Sequence, residues 1–301
     1  MLKPMSERQS RLRQRLENLE DMPTVPVVLA PLLRYMEQPL DALQVEEVVD
    51  LISQDKSLAA QCLHMANSPL YGRWATVDNL RTAVVALGMQ RVRDIALSCT
   101  LLALTPSRDG MDASVFWEHS LGCALVCRQF AQKIGFPDSA KAYLGGLLHD
   151  IGVVAELCVA PEQFQVAWDL ARKAGIPLHE AEAETLGLTH CESGKILAEK
   201  WQLSEDLATV AHDHHDPGRA TKHREMVALV SLSDLLCRMS GLGYGYAEER
   251  QINLAEQPGF GLLLEECPSL KLFDWARFTF ELQAYMEEVH RLVGLLYRVP
   301  Q

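Results

Sequence analysis

Between residues 115 and 134 the inward-facing side chains return every three or four positions: Phe116, His119, Cys123, Cys127, Phe130 and Ile134. That period belongs to a buried α-helix, because a strand changes face at every second residue. The same spacing recurs at Val45, Val48, Val49 and Ile52, in a helix starting about Asp41. It returns at Val227, Val230, Ser231, Asp234 and Leu235, in a helix from about His223. Helices are also expected from Ser57 to Ala66, over 80–104 as a pair meeting near Leu87-Gly88, from Asp138 to the His149-Asp150 doublet, and from Pro161 to Ala174 with Gly175 as the C-cap. Residues 251–301 read as further helical packing. With no convincing period-two segment in the first half, the pattern predicts an all-α protein.

Turn residues divide the chain. Residues 1–21 form a charged amphipathic arm with Leu12, Leu16 and Leu19 at helical spacing, read as a solvated helix on the body or as a partner-binding arm. Met22-Pro23-Thr24-Val25-Pro26 breaks any helix, Asn67-Ser68-Pro69-Leu70-Tyr71-Gly72 stops another, and Thr105-Pro106-Ser107-Arg108-Asp109-Gly110 is the best internal boundary. The expected organisation is an arm over 1–21, an N-terminal helical lobe over 22–108, a second lobe over 109–245 and a helical extension over 246–301.

Composition removes several function classes. A net charge of −12 argues against a general nucleic-acid binder, since phosphate contacts need clustered Lys and Arg. No apolar run is read as approaching the roughly 18 residues that a membrane span requires, and no apolar segment follows the charged N-terminus, so a cytoplasmic protein without a membrane partner is expected. Cys62, Cys99, Cys123, Cys127, Cys158, Cys191, Cys237 and Cys267 contain no CxxC pair. Cys123 and Cys127 either share a metal or, more simply, are reduced core thiols.

The chemistry collects around Leu147-Leu148-His149-Asp150-Ile151-Gly152. An aspartate in so apolar a setting needs a partner or a cation, and adjacent imidazole and carboxylate groups suit a shared metal ion. His119 lies on the inward face of its helix. Thr189 and Glu192 fit a capping box that places His190 in a first helical turn. Ser204 caps the helix that ends in His212-Asp213-His214-His215, and Asp234 sits inside an apolar stripe. Together His119, His149, Asp150, His190, His214, His215 and Asp234 form a mixed nitrogen and oxygen set suited to divalent Fe, Mn, Ni or Zn.

That order resembles the HD superfamily of metal-dependent phosphohydrolases, and the extra histidines resemble its dinuclear branch, which includes the HD-GYP cyclic-di-GMP phosphodiesterases. The resemblance implies that His119, His149, Asp150 and Asp234 hold one metal. Asp150, the candidate catalytic residue, would bridge to a second held by His190, His214 and His215. Two features depart from the phosphodiesterases. They follow the doublet with Ile-Gly-Lys, where this chain has Val153. They carry Gly-Tyr-Pro after the histidine pair, where this chain has Asp216-Pro217-Gly218-Arg219-Ala220; Gly243-Tyr244-Gly245-Tyr246 is expected to lie too far downstream to replace it.

Pro23-Thr24-Val25-Pro26, Gln54-Asp55-Lys56-Ser57-Leu58, Asn67-Ser68-Pro69-Leu70-Tyr71-Gly72 and Ala83-Val84-Val85-Ala86-Leu87-Gly88 are similar, in order, to the N-terminal signature of HDOD proteins, HD-related output domains of bacterial signalling. Trp117-Glu118-His119-Ser120, the segment Gly145 to Gly152 and Trp201-Gln202-Leu203 continue the likeness, which covers about residues 22–245. It implies a two-lobed helical architecture with an HD-like core in the second lobe. The leading expectation is a regulatory module that contacts a signalling protein and keeps a metal site. The alternative is a phosphohydrolase or phosphodiesterase acting on a phosphoester or nucleotide, and a third reading makes metal occupancy or redox state a signal that alters lobe packing.

Overall fold

Side-chain oxygens start many of the helices. Asp55 accepts from the amides of Ser57 and Leu58, Asn79 from Thr82, Asp112 from Ser114 and Asp138 from Lys141. Each satisfies amides that a first helical turn leaves without partners. The computed structural model describes residues 7–18, 31–32, 44–68, 77–102, 104, 111–249 and 252–298. Its α-helices are α1 (Glu7–Asn18), α2 (Val45–Ser53), α3 (Lys56–Ala66), α4 (Leu80–Leu87), α5 (Met89–Leu102), α6 (Ala113–Ile134), α7 (Ser139–Leu148), α8 (Ile151–Val159), α9 (Pro161–Ala174), α10 (Leu178–Thr185), α11 (His190–Lys200), α12 (Glu205–Asp213), α13 (Arg224–Met239), α14 (Pro258–Glu266) and α15 (Trp275–Arg298). Among the described residues there is no strand, and the fold is all-α.

The chain packs as two compact units, one formed by residues 1–23 and 105–282, the other by residues 24–104 and 283–301. In the second, α3 and α4 pack against α5. In the first, α6 lies between α7 and α13, while α8 packs on α11. Phe116, His119, Cys123, Cys127, Phe130 and Ile134 are all buried, as the period requires. Helix α1 rests on α8 and α11 through buried Leu12 and Leu16. The expected breaks at Pro23–Pro26 and Thr105–Gly110, the start at Asp41, Leu19 and the Pro69–Gly72 turn lie outside the described residues.

Helices α8 and α11 approach at main-chain distance. A Cβ added to Gly152 would stand 1.9 Å from the carbonyl oxygen of His190 and 2.6 Å from the amide nitrogen of Gly194. Glycine at 152 therefore brings Asp150 beside His190 with no side chain between the backbones.

One expectation is corrected. Ser139–Val159 is a 21-residue stretch apolar enough for a membrane span by length and composition, and 94% of its most apolar window is buried. It consists of α7 and α8, broken at the doublet, and forms the core of its unit.

Candidate metal centre

Each expected ligand sits where a helix begins, ends or turns inward. His149 is the C-cap of α7 and Asp150 the N-cap of α8. His190 opens α11 behind the expected Thr189–Glu192 capping box. His214 closes α12; Ser204 holds the N-cap position there but makes no capping bond through its side chain. His119 projects from α6 and Asp234 from α13. His119, His149, Asp150, His190, His214 and Asp234 are buried, and the His215 side chain is 15% exposed.

All seven converge around Asp150. Its Oδ2 lies 2.9 Å from His149 Nε2 and 3.5 Å from His119 Nε2, and His119 Nε2 is 3.2 Å from Asp234 Oδ1. Its Oδ1 lies 3.2 Å from both His190 Nε2 and His214 Nε2. His215 Nε2 is 3.1 Å from His190 Nε2. The ligand atoms of His119, His149 and Asp150 fall within 4.8 Å of one another, as do those of His190, His214, His215 and Cys191. Cys191 was not among the expected residues.

Hydrogen bonds aim the imidazoles. Nδ1–H of His119 donates to the Leu242 carbonyl (2.7 Å), that of His149 to Gly146 (2.8 Å) and that of His214 to Val210 (3.1 Å). A carbonyl can only accept, so in the neutral ring each Nε2 offers its lone pair to the centre. His190 is held differently: its Nδ1–H donates to Glu182 Oε2 at 2.7 Å.

Electrostatics follow from this crowding. Burial works against the Asp150 charge, but the His149 and His190 rings outweigh it and hold the carboxyl well below its usual range. Burial also opposes an imidazolium at His119, yet Asp150 and Asp234 push that ring up to about 10. His190 is raised despite its burial, chiefly by Glu182. Burial and neighbouring rings depress His214 and His215, keeping them neutral and ready to ligate. Asp234 is held low, against its burial, by Arg238 and His119.

Two buried atoms report a missing partner. Asp150 Oδ1 and His214 Nε2 face each other, and neither makes a hydrogen bond. A cation between them would satisfy both. The nitrogen and oxygen donor set therefore fits a divalent metal.

Sequence reasoning missed the surrounding shell. Arg238 donates to Asp234 at 2.8 Å and to both oxygens of Glu248 at 2.8 and 3.0 Å. Glu156 accepts from Ser193 at 2.8 Å, and burial and Glu182 push its carboxyl up. The ring of His179 stacks on His215 at 4.0 Å and is depressed to about 3, by burial first. Tyr244, expected to lie too far downstream to replace the Gly-Tyr-Pro tyrosine, nevertheless reaches the centre: its hydroxyl donates to Asp150 Oδ2, because the chain after α13 folds back across it. Tyr244 does not follow the histidine pair as the Gly-Tyr-Pro tyrosine does; it arrives by a separate route. Beside the second group lies a cavity of about 220 Å³ lined by His179, His214, His215, Asp234, Arg238 and Glu248, among others.

The HDOD domain pattern matches residues 22–217. The chain belongs to the HDOD family. An HDOD domain protein of Geobacter sulfurreducens shares 28% identity and superposes with a TM-score of 0.83, covering 97% of this chain and 99% of that one. A Marinobacter aquaeolei protein, named by inference for signal transduction, is 20% identical with a TM-score of 0.76, over 96% of this chain and 66% of its own. A Shewanella amazonensis protein, classed by inference as a metal-dependent phosphohydrolase, is 20% identical with a TM-score of 0.61, over 96% and 100%. These last two share the fold. A Treponema pallidum protein is 24% identical over 224 residues, which is 74% of this chain but 43% of that relative, so the HDOD chain spans less than half its length.

Proposed function

We propose that this HDOD protein is a signalling module that acts through contacts with a partner protein and holds one or two divalent ions in its HD-type centre. The observation that carries the reading is the position of Asp150, one carboxylate oxygen turned to each histidine group. His119, His149, Asp150 and Asp234 would hold one ion, and Asp150, His190, His214 and His215 the other. Such ions supply Lewis acidity and an activated water when bound.

Regulation is favoured over turnover by what surrounds the centre. Val153, at the lysine position of the phosphodiesterases, is completely buried. Arg238 is the one arginine or lysine among the described residues lining the adjoining cavity, and its guanidinium is committed to Asp234 and Glu248. A phosphoester would find no uncommitted cationic side chain there to position it. The intact ligand set favours hydrolysis as a second reading, on a phosphoester small enough for about 220 Å³.

Elemental analysis of protein purified without chelator or histidine tag tests the metal assignment, with wild type and Asp150→Ala taken together. One or two equivalents in wild type, lost in the variant, is the expected result. A folded, metal-free wild type would remove the reading. The regulatory assignment predicts no turnover of phosphoesters or cyclic dinucleotides by the metal-loaded protein, and turnover would favour the second reading.

A further inference from the structure

Resting on the metal reading, we propose that Tyr244 is a further ligand to the ion of the first group, binding through its phenol oxygen. Its hydroxyl meets Asp150 at Oδ2, the oxygen turned toward His149 and His119, rather than at Oδ1 on the side of the second group. The phenol oxygen thus abuts the space enclosed by the first group's donors. Its ring is set between His119, 5.1 Å away between centroids, and Trp168, near-perpendicular at 6.0 Å, and the residue is buried.

The segment carrying Tyr244 is tied down along its length. Leu242 accepts from His119, Glu248 is clamped by Arg238, Tyr246 donates to the Ile176 carbonyl at 3.0 Å, and the Glu249 amide donates to Gly175 at 2.8 Å. Gly241 and Gly245 take φ values of +89° and +77°, turning the backbone on either side of the tyrosine. A buried hydroxyl placed by this many contacts is a built position.

His119, His149, Asp150 and Asp234 offer four donors, and metal centres that use water keep a further position open for it. The phenol would take that position. On binding, the tyrosine O–H bond breaks, an oxygen–metal bond forms and the proton leaves to solvent. The ion would be held but closed to a water nucleophile, which suits a regulatory centre.

The test loads cobalt(II) into metal-free wild type and Tyr244→Phe, a change that keeps the ring packed against His119 and Trp168. Expected are equal cobalt content, different visible spectra, one more proton released by wild type on loading, and an azide midpoint at least tenfold lower in the variant. Superimposable spectra and equal proton release would overturn the proposal. Ferric iron in wild type gives a check that needs no variant, since a phenolate ligand produces visible charge-transfer absorption, and a colourless ferric protein would also overturn it. If neither folded protein retains metal, the reading beneath the proposal fails and takes the proposal with it.

Discussion

A single oxygen of Glu182 meets His190 twice, accepting from Nδ1 at 2.7 Å and from the backbone amide at 2.8 Å. His119, His149 and His214 are anchored by neutral carbonyls, whereas the His190 ring is hydrogen-bonded to a carboxylate. Carboxylate support makes an imidazole a stronger donor. Glu182→Gln is expected to lower metal affinity about 10- to 100-fold. Competition with a chromophoric chelator would measure it, and unchanged affinity would show the contact to be structural only.

Arg238 neutralises two carboxylates in a largely buried setting, with side-chain exposures of 13% for Arg238, 3% for Asp234 and 14% for Glu248. Removing it leaves Glu248 without its cation and Asp234 to its contact with His119. Arg238→Ala is expected to cost about 3–5 kcal/mol in the metal-free protein. Urea unfolding in the presence of chelator reads this directly, and a loss below about 1 kcal/mol would contradict the pairing.

Two glycines should respond in opposite directions. Gly152→Ala sets a Cβ against the His190 carbonyl, where only backbone can give way, and should destabilise by about 3 kcal/mol or more. Gly261, inside α14, has open space around an added Cβ, and Gly261→Ala should stabilise by about 0.5–1 kcal/mol. Thermal melts of the two variants beside wild type decide both.

Asp206 and Lys141 join α12 to α7 at 2.5 Å. Burial opposes the Asp206 charge, but Lys141 and Ser204 lower its carboxyl below the usual value of 3.8. A depressed carboxylate contributes stability above its unfolded pKa and loses it as the pH falls through the folded one. Asp206→Asn should therefore cost up to about 1 kcal/mol at pH 7. The cost should shrink as the pH falls below 3.8 and vanish only beneath the lower folded value, where wild type is protonated as well. An undiminished difference in acid would exclude the ion pair as its source.

The helices and the seven converging residues were legible in the sequence because both leave local marks. An apolar period of 3.6 survives in any window, and Asp150 and Asp234 are conspicuous among leucines and valines. Glu182 was not legible: it stands in Leu178–Thr185, where alternating acidic residues look like a solvated face, and its contact to His190 is made by folding. Glu156 carried a signal that was available, a lone acid in the apolar run of α8. Arg238 did too, four residues after Asp234 on one helical face. Tyr244 offered none, since its contact with Asp150 spans 94 positions and no periodicity encodes a loop's return.

The seat of α1 has a consequence for biosynthesis. Helix α1 ends at Asn18, yet one of the two surfaces that bury Leu12 and Leu16 belongs to α11, which begins at His190. On the ribosome the first helix must wait, amphipathic and unseated, while residues 24–104, which pack into the other unit, and then most of its own unit are made. Pairing that late is slow, because a long intervening chain must be closed before the contact contributes. The rear of the centre, where α8 and α11 meet, is thus incomplete until α11 has been made, and in a nascent chain shorter than that a chaperone would find the leucines of α1 still bare.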